Sequence, residues 1–268
     1  MPKTTKYKAK VPDAQGFIAY TADEDAVWRD LAAQQYAPVR AHAARAFLAG
    51  QEKLDLPQDR VPQCTEVSEK LMEMTGWRVA PVPALIGFKQ FFGMLGERVF
   101  PAASFIRSRE DFDYIEEPDI FHEIYGHTPL LTNPYFAAFS QKIGEVGMHC
   151  APADYSWLIR LYWFTIEFGL IREGGGIKAL GSGLASSPTE LIHAVEGADV
   201  ERKPFDVIDI LRTPYRIDIH QPIYFVLDSA EQLFEAAGRD LVVDIAQARA
   251  LGLHAPTYPP KPKAEAAS

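Results

Sequence analysis

APADYSWLIRLYWFTIEFGLIRE, residues 151–173, places apolar side chains on every side of a helix: Trp157, Leu158, Ile159, Leu161, Tyr162, Trp163, Phe164, Ile166, Phe168, Leu170 and Ile171. A helix that is apolar all round is a buried helix. Glu167 stands inside that run. An ionised carboxylate in such a place is costly unless it is paired or bound to a metal. Taken alone, its ordinary explanation is an ion pair with Arg160 or Arg172.

Helical patterns dominate the rest of the chain. They cover residues 23–35, which open with acids suited to a helix N-terminus, and then 39–48 after an interruption at Pro38. Further helical patterns cover 65–74, 87–95, 118–126, 133–148, 154–173, 188–195 and 229–237. Strand signals are few, at 215–219 and 223–227, where Ile, Tyr, Phe and Val concentrate. The fold class that follows is mainly α with a small β-sheet. Residues 1–15 read as a flexible arm, 16–255 as one domain that carries the chemistry, and 256–268 as a disordered tail rich in Pro, Lys and Ala.

The 268 residues are 47% hydrophobic and carry 36 acids against 27 bases, a formal charge of -9. That balance disfavours nucleic-acid binding, which calls for a basic face. The basic start MPKTTKYKAK is followed by no apolar run, and no window reaches the length of a membrane span, so neither a signal peptide nor a membrane partner is expected. Two cysteines, Cys64 and Cys150, without a CxxC pair, exclude a disulfide scaffold and fit a reducing, cytoplasmic setting.

The segment EPDIFHEIYGHTPLL, residues 117–131, contains His122, Glu123 and His127. It differs from the zinc-protease helix H-E-x-x-H, whose histidines stand four apart on one face. A separation of five leaves the second imidazole about 140° out of line on a straight helix. For both to reach one metal, the helix must end or distort before His127; Gly126 is a natural terminator and Pro129 opposes regular continuation. Two histidines at a helix stop, with a carboxylate stranded in a buried helix, point to a shared metal. Two imidazoles and one carboxylate with open positions describe a non-haem iron(II) oxygenase site; zinc takes the same ligands in hydrolases, and ligand type does not separate the two.

EEPDIFHEIYGH, YWFTIEFGL and IKALGSGLASS together resemble the catalytic domain of the tetrahydropterin-dependent aromatic amino acid hydroxylases, above all the short bacterial phenylalanine-specific form, over about residues 61–229. The resemblance implies the single-domain catalytic fold of that family and a ligand set of His122, His127 and Glu167 for Fe(II). It implies that Arg107, in the stretch FIRS, binds the substrate carboxylate, for which a planar guanidinium is suited. It places Trp163 and Phe168 along the substrate ring, and Gly183 and Ser186 closing over the amino acid. Phe91 would stack on the pterin, Leu85 and Ile86 would offer backbone hydrogen bonds to it, and Glu123 would contact it directly or through water. Asp119 is expected to orient His122 from behind.

Animal members of the family have Thr-Pro where this chain has Ile115-Glu116, so a hydroxyl contact to substrate is absent or replaced. They also carry a regulatory domain and a tetramer-forming helix for which this chain is too short, so a monomer is expected. The reaction implied is L-phenylalanine to L-tyrosine with a tetrahydropterin and dioxygen as co-substrates. Competing readings are a tryptophan or tyrosine hydroxylase of the same family, a zinc hydrolase, and a non-catalytic protein with structural histidines. A phosphate loop at residues 174–183 is excluded, because Ser182-Gly183 replaces the required Lys-Ser/Thr. His42, His149, His193, His220 and His254 read as surface or packing residues.

Overall fold

The computed structural model describes residues 6–83 and 86–260. Helices α1 (Ala22–His42), α2 (Arg45–Leu54) and α3 (Cys64–Thr75) lead to strand β1 (Arg78–Val82), and α4 (Phe88–Gly96) joins it to β2 (Val99–Ala103). A π-helical turn, Phe121–His127, runs directly into α5 (Thr128–Leu131), followed by α6 (Pro134–His149), α7 (Tyr155–Tyr162) and a second π-helical turn, Trp163–Glu167. Strands β3 (Leu170–Glu173) and β4 (Gly176–Ala179) form a hairpin. Helices α8 (Ser182–Ala185) and α9 (Pro188–Glu196), strand β5 (Glu201–Pro204), α10 (Val207–Arg212), β6 (Ile223–Leu227), α11 (Glu231–Ala237) and α12 (Leu241–Leu251) complete the chain.

The mainly helical class with small sheets is the one the patterning predicts. Strands β1 and β2 pair in parallel, and a four-stranded sheet runs β4-β3-β6-β5 with only the β3–β4 pair antiparallel. Every residue of β2 and β6 is buried. Parallel strands covered on both faces read as apolar runs without alternation, and only β6 announced itself as a strand. Its predicted neighbour at 215–219 is irregular. There the Gln221 amide donates to the carbonyls of Arg216 and Ile219, and Tyr215 lies against Trp163, so side-chain contacts replace a ladder.

Three helix boundaries differ from expectation for identifiable reasons. Helix α1 passes through Pro38 and stops at Ala43, where Ala44 N–H leaves the helix to donate to the Ala179 carbonyl at 2.7 Å. Its start is held by a capping box between Thr21 and Glu24. The long helix expected over 154–173 becomes α7, a π turn and then β3. Helix α10 is only six residues long and buries Val207, Ile210 and Leu211, while α12 carries no clear apolar stripe: Leu241, Ile245 and Ala248 are buried but Val242 and Val243 are exposed and blur the pattern.

Residues 6–20 contain neither helix nor strand. Tyr7 stacks on Phe105 at 4.7 Å, and Lys10 pairs with Glu24 at 2.6 Å. At the other end, Arg216 donates to the Pro259 carbonyl at 2.8 Å. Among the described residues, no helix is long and apolar enough to cross a membrane. Both cysteines are free, and burial pushes the Cys64 thiol up to about 12.

Helices α4 and α6 meet at backbone distance. A Cβ built on Gly144 would lie 2.2 Å from the Gly96 nitrogen, and one on Gly147 would lie 2.2 Å from the Phe92 ring. Helix propensity alone favours alanine over glycine by about 0.5–1 kcal/mol. Overpacking costs about 1–3 kcal/mol and decides the sign here. Gly144→Ala is therefore expected to lower the urea midpoint of unfolding; a raised midpoint would show that the two helices can separate freely.

Candidate metal centre and cavity

The first π turn resolves the five-residue spacing. Closing a helix at i→i+5 instead of i→i+4 brings residues five apart onto one face. His122 Nε2 and His127 Nε2 consequently lie 3.1 Å apart, with the rings nearly perpendicular. The helix does not stop at Gly126, as the sequence suggests; it continues into α5, of which Pro129 is the second residue. Gly126 instead gives room: a Cβ there would meet the Ser182 carbonyl at 2.8 Å.

The second π turn brings Glu167 to the same point. Its Oε1 is 3.1 Å from His127 Nε2 and its Oε2 is 3.7 Å from His122 Nε2. Phe168 N–H donates to the Trp163 carbonyl at 2.8 Å, the i→i+5 bond of this turn. Trp163 and Phe168 thereby share a face, with ring centroids 4.3 Å apart. Tyr215 stacks on the other side of Trp163, also at 4.3 Å, and extends the aromatic wall.

Two carboxylates stand near the imidazoles, since Glu123 can bring an oxygen within 4.8 Å of a ring nitrogen of both His122 and His127. Their surroundings separate them. Burial pushes the Glu123 carboxyl well up, and the charges of Glu167 and Asp119 push it further, against a backbone hydrogen bond from Ala103. Burial also disfavours a charge on Glu167, but His127, His122 and the Ser182 hydroxyl outweigh it and hold that carboxyl down at about 2. Burial lowers His122 to about 4, which keeps its imidazole neutral. A neutral His122 imidazole and an ionised Glu167 are protonation states that bind a divalent metal.

Helix α8 braces the cluster. Ser182 Oγ lies 3.1 Å from His127 Nε2 and donates to the Ile166 carbonyl at 2.8 Å and to Glu167 Oε2 at 3.3 Å. Ser186 Oγ lies 2.9 Å from His122 Nδ1 and fixes that ring. A Cβ on Gly183 would sit 3.1 Å from Glu167 Oε2 and 3.0 Å from the Phe168 ring. Ser182 is a site residue that sequence reasoning passed over: it was considered only as part of a failed phosphate loop.

Asp119 is fully buried. It accepts from Arg107 Nε at 2.8 Å, Arg107 Nη2 at 2.9 Å and the Arg107 backbone N–H at 3.0 Å, and from the His122 backbone N–H at 3.1 Å. Its contact with His122 is thus through the main chain, while the ring is oriented by Ser186. Burial works against its charge, but Arg107 and these hydrogen bonds keep its carboxyl below the ordinary range.

A cavity of about 760 Å³ opens beside the cluster. Arg107, His122, Trp163, Glu167, Phe168, Gly183 and Ser186 all border it, as do Ile115 and Glu116. Phe91 is half-buried on α4 and held edge-on by Phe92 at 5.7 Å and Tyr162 at 5.4 Å. Phe91, Glu123 and Ile86 do not border that cavity; Leu85 lies outside the described residues.

Residues 3–247 match the family described as biopterin-dependent aromatic amino acid hydroxylase. The chain belongs to that family. Over 257 residues it is 48% identical to a phenylalanine-4-hydroxylase of Vibrio cholerae, covering 96% of this chain and 89% of the relative. Its fold is similar to that of the cold-active phenylalanine hydroxylase of Colwellia psychrerythraea 34H, with TM-score 0.91, 50% identity, and coverage of 92% of this chain and 96% of that one. It is also similar to the Chromobacterium violaceum phenylalanine hydroxylase structure with bound oxidised Fe(III), with TM-score 0.86 and 38% identity over 91% of this chain and 89% of that one.

The metal-free protein should lose stability on acidification through two groups. His122 titrates at about 6.5 when unfolded and at about 4 when folded. The unfolded state therefore binds the extra proton first, and stability falls as pH drops through that window. Glu167 adds a loss between its unfolded value near 4.5 and about 2. Glu123 acts oppositely: its raised folded pKa costs stability above its unfolded value. Relative to wild type, His122→Asn should therefore show a smaller fall of the urea midpoint between about pH 6.5 and 4, and Glu123→Gln a higher midpoint at neutral pH. Profiles of His122→Asn and wild type with the same slope across that window would contradict this assignment of charges.

Proposed function

We propose that this chain is a phenylalanine 4-monooxygenase, converting L-phenylalanine and dioxygen to L-tyrosine with Fe(II) and a tetrahydropterin. The observation that carries the reading is the convergence of His122, His127 and Glu167, from two widened helical turns, beside a cavity that also holds Arg107 and an aromatic wall. The donor set fits Fe(II): two imidazoles and one carboxylate, with positions left open on the metal. When bound, the iron and the reduced pterin supply the activation of dioxygen.

The chain's own residues place and enclose the substrate. Arg107 receives the carboxylate. Asp119 takes its Nε and one Nη2 hydrogen, and the Phe112 carbonyl lies 3.5 Å from Nη1, so one N–H on each Nη remains to form a bidentate pair. Trp163 and Phe168 hold the ring beside the metal, and Gly183 leaves space between Phe168 and Glu167. Fixing the ring carbon at a set distance from the metal turns an encounter into an intramolecular step. Phe91 stacks on the pterin, Ile86 and Leu85 offer it backbone groups, and Glu123 contacts it directly or through water. The reading includes a cytoplasmic monomer, supported by the similarity to short bacterial relatives.

Tyrosine formation from L-phenylalanine with Fe(II) and tetrahydropterin is the test. Glu167→Ala should lose bound iron and turnover together. Phe91→Ala should raise the KM for pterin, while iron binding stays intact. Iron-loaded wild type that makes no tyrosine under these conditions would refute the proposal.

A further inference from the structure

Arg107 lies in a buried segment, residues 104–108, that belongs to neither a helix nor a strand. Asp119 fixes its guanidinium, but a side chain is aimed only as well as the backbone that carries it. On one side the segment leans on the first metal-binding turn: Ile120 N–H donates to the Phe105 carbonyl at 2.8 Å, and the Arg107 N–H donates to Asp119 at 3.0 Å. The Ser108 N–H and both oxygens of Ser104 turn elsewhere, to the N-terminal arm.

Ser104 Oγ donates to the Lys10 carbonyl at 2.8 Å, and the Tyr20 hydroxyl donates to the Ser104 carbonyl at 3.1 Å. Ser108 N–H donates to the Tyr7 hydroxyl at 3.0 Å. That hydroxyl in turn donates to the carboxylate of Asp111, which also pairs with Lys6 at 2.6 Å. The Tyr7 ring stacks on Phe105 with an interplanar angle of 13°. The arm is itself moored beside the start of α1, where Lys10 pairs with Glu24 at 2.6 Å and donates to the Ala19 carbonyl at 2.8 Å. Tyr7 therefore grips the residue two before Arg107 and the residue directly after it. A phenolic hydroxyl can accept and donate at once; phenylalanine in its place would keep the stack and lose both hydrogen bonds.

We infer that Tyr7 is a positioning residue for substrate binding: by holding Phe105 and Ser108 it fixes the backbone on both sides of Arg107, and with it the direction in which the guanidinium meets the substrate carboxylate. The inference rests on the reading of Arg107 as the carboxylate-binding residue. Tyr7 itself does not border the cavity, so its effect reaches the substrate through the segment it holds. His122, His127, Glu167 and Phe91 stand on other elements, the two widened turns and α4. Loosening the arm should therefore separate substrate binding from metal and pterin binding.

The test compares iron-loaded wild type and Tyr7→Phe in tyrosine formation, with L-phenylalanine and the tetrahydropterin varied in turn. Loss of the two hydrogen bonds should raise the KM for L-phenylalanine about threefold to tenfold. The kcat, the KM for pterin and the iron content should stay at wild-type values, the pattern of a lost binding contribution. Tyr7→Ala, which also loses the stack on Phe105, should raise the same KM further. Ser104→Ala, which frees the arm at Lys10, should raise it too and serves if Tyr7→Phe does not fold. An unchanged KM for L-phenylalanine overturns the inference. So does an equal change in the pterin KM or in iron content, because a general loosening of the fold would move all three. Arg107→Lys with a wild-type KM for L-phenylalanine would instead overturn the reading of Arg107, and is distinguishable on that ground.

Discussion

Three ligating side chains have to meet within a few ångströms, and two of them come from histidines spaced so that a regular helix would point them apart. The widened turn at Phe121–His127 satisfies that demand, and much of the surrounding structure supports it. The turn continues into α5, so the His127 side is anchored by a further helical segment. Helix α8 approaches so closely that Gly126 must lack a side chain. The same device recurs at Trp163–Glu167, where it sets Glu167 against the imidazoles and aligns Trp163 with Phe168. One backbone distortion, used twice, places both the metal ligands and the aromatic wall.

Electrostatics divides labour among the buried acids. Asp119, Glu123 and Glu167 all lie in a low-dielectric region, where three negative charges would repel strongly. Asp119 is neutralised by Arg107, which in turn is held in one orientation by a carboxylate that fixes its fork. Glu167 is held ionised by the imidazoles, and a bound metal would stabilise it further. Burial and the neighbouring acids push the Glu123 carboxyl up. Three chemically similar groups thus differ in their surroundings: a counter-ion that fixes an arginine, a carboxyl pushed up by burial, and a candidate metal ligand.

What could be read from the chain was the chemistry more than the geometry. Glu167 in an apolar run and the five-residue histidine spacing each announced an anomaly, and together they implied a metal and a distorted helix. The form of the distortion was not legible. Gly126 and Pro129 are ordinary stop signals, and only the approach of Ser182 shows that the glycine serves a close contact. Short parallel strands escaped notice because burial on both faces removes alternation. Residues 215–219 looked like a strand because Tyr and Ile are needed there for packing on Trp163 and around the cavity.

A widened turn of this kind differs from an ordinary helix by one residue. Loss of a single codon within either segment would let the helix close regularly, since the ordinary i→i−4 bonds would be restored. The core contacts of the flanking helices could survive such a deletion by a small shift in register. In the first segment His122 and His127 would then stand four apart, on one face of a regular helix. The widened turn and the five-residue spacing therefore depend on each other: either alone would point the imidazoles apart.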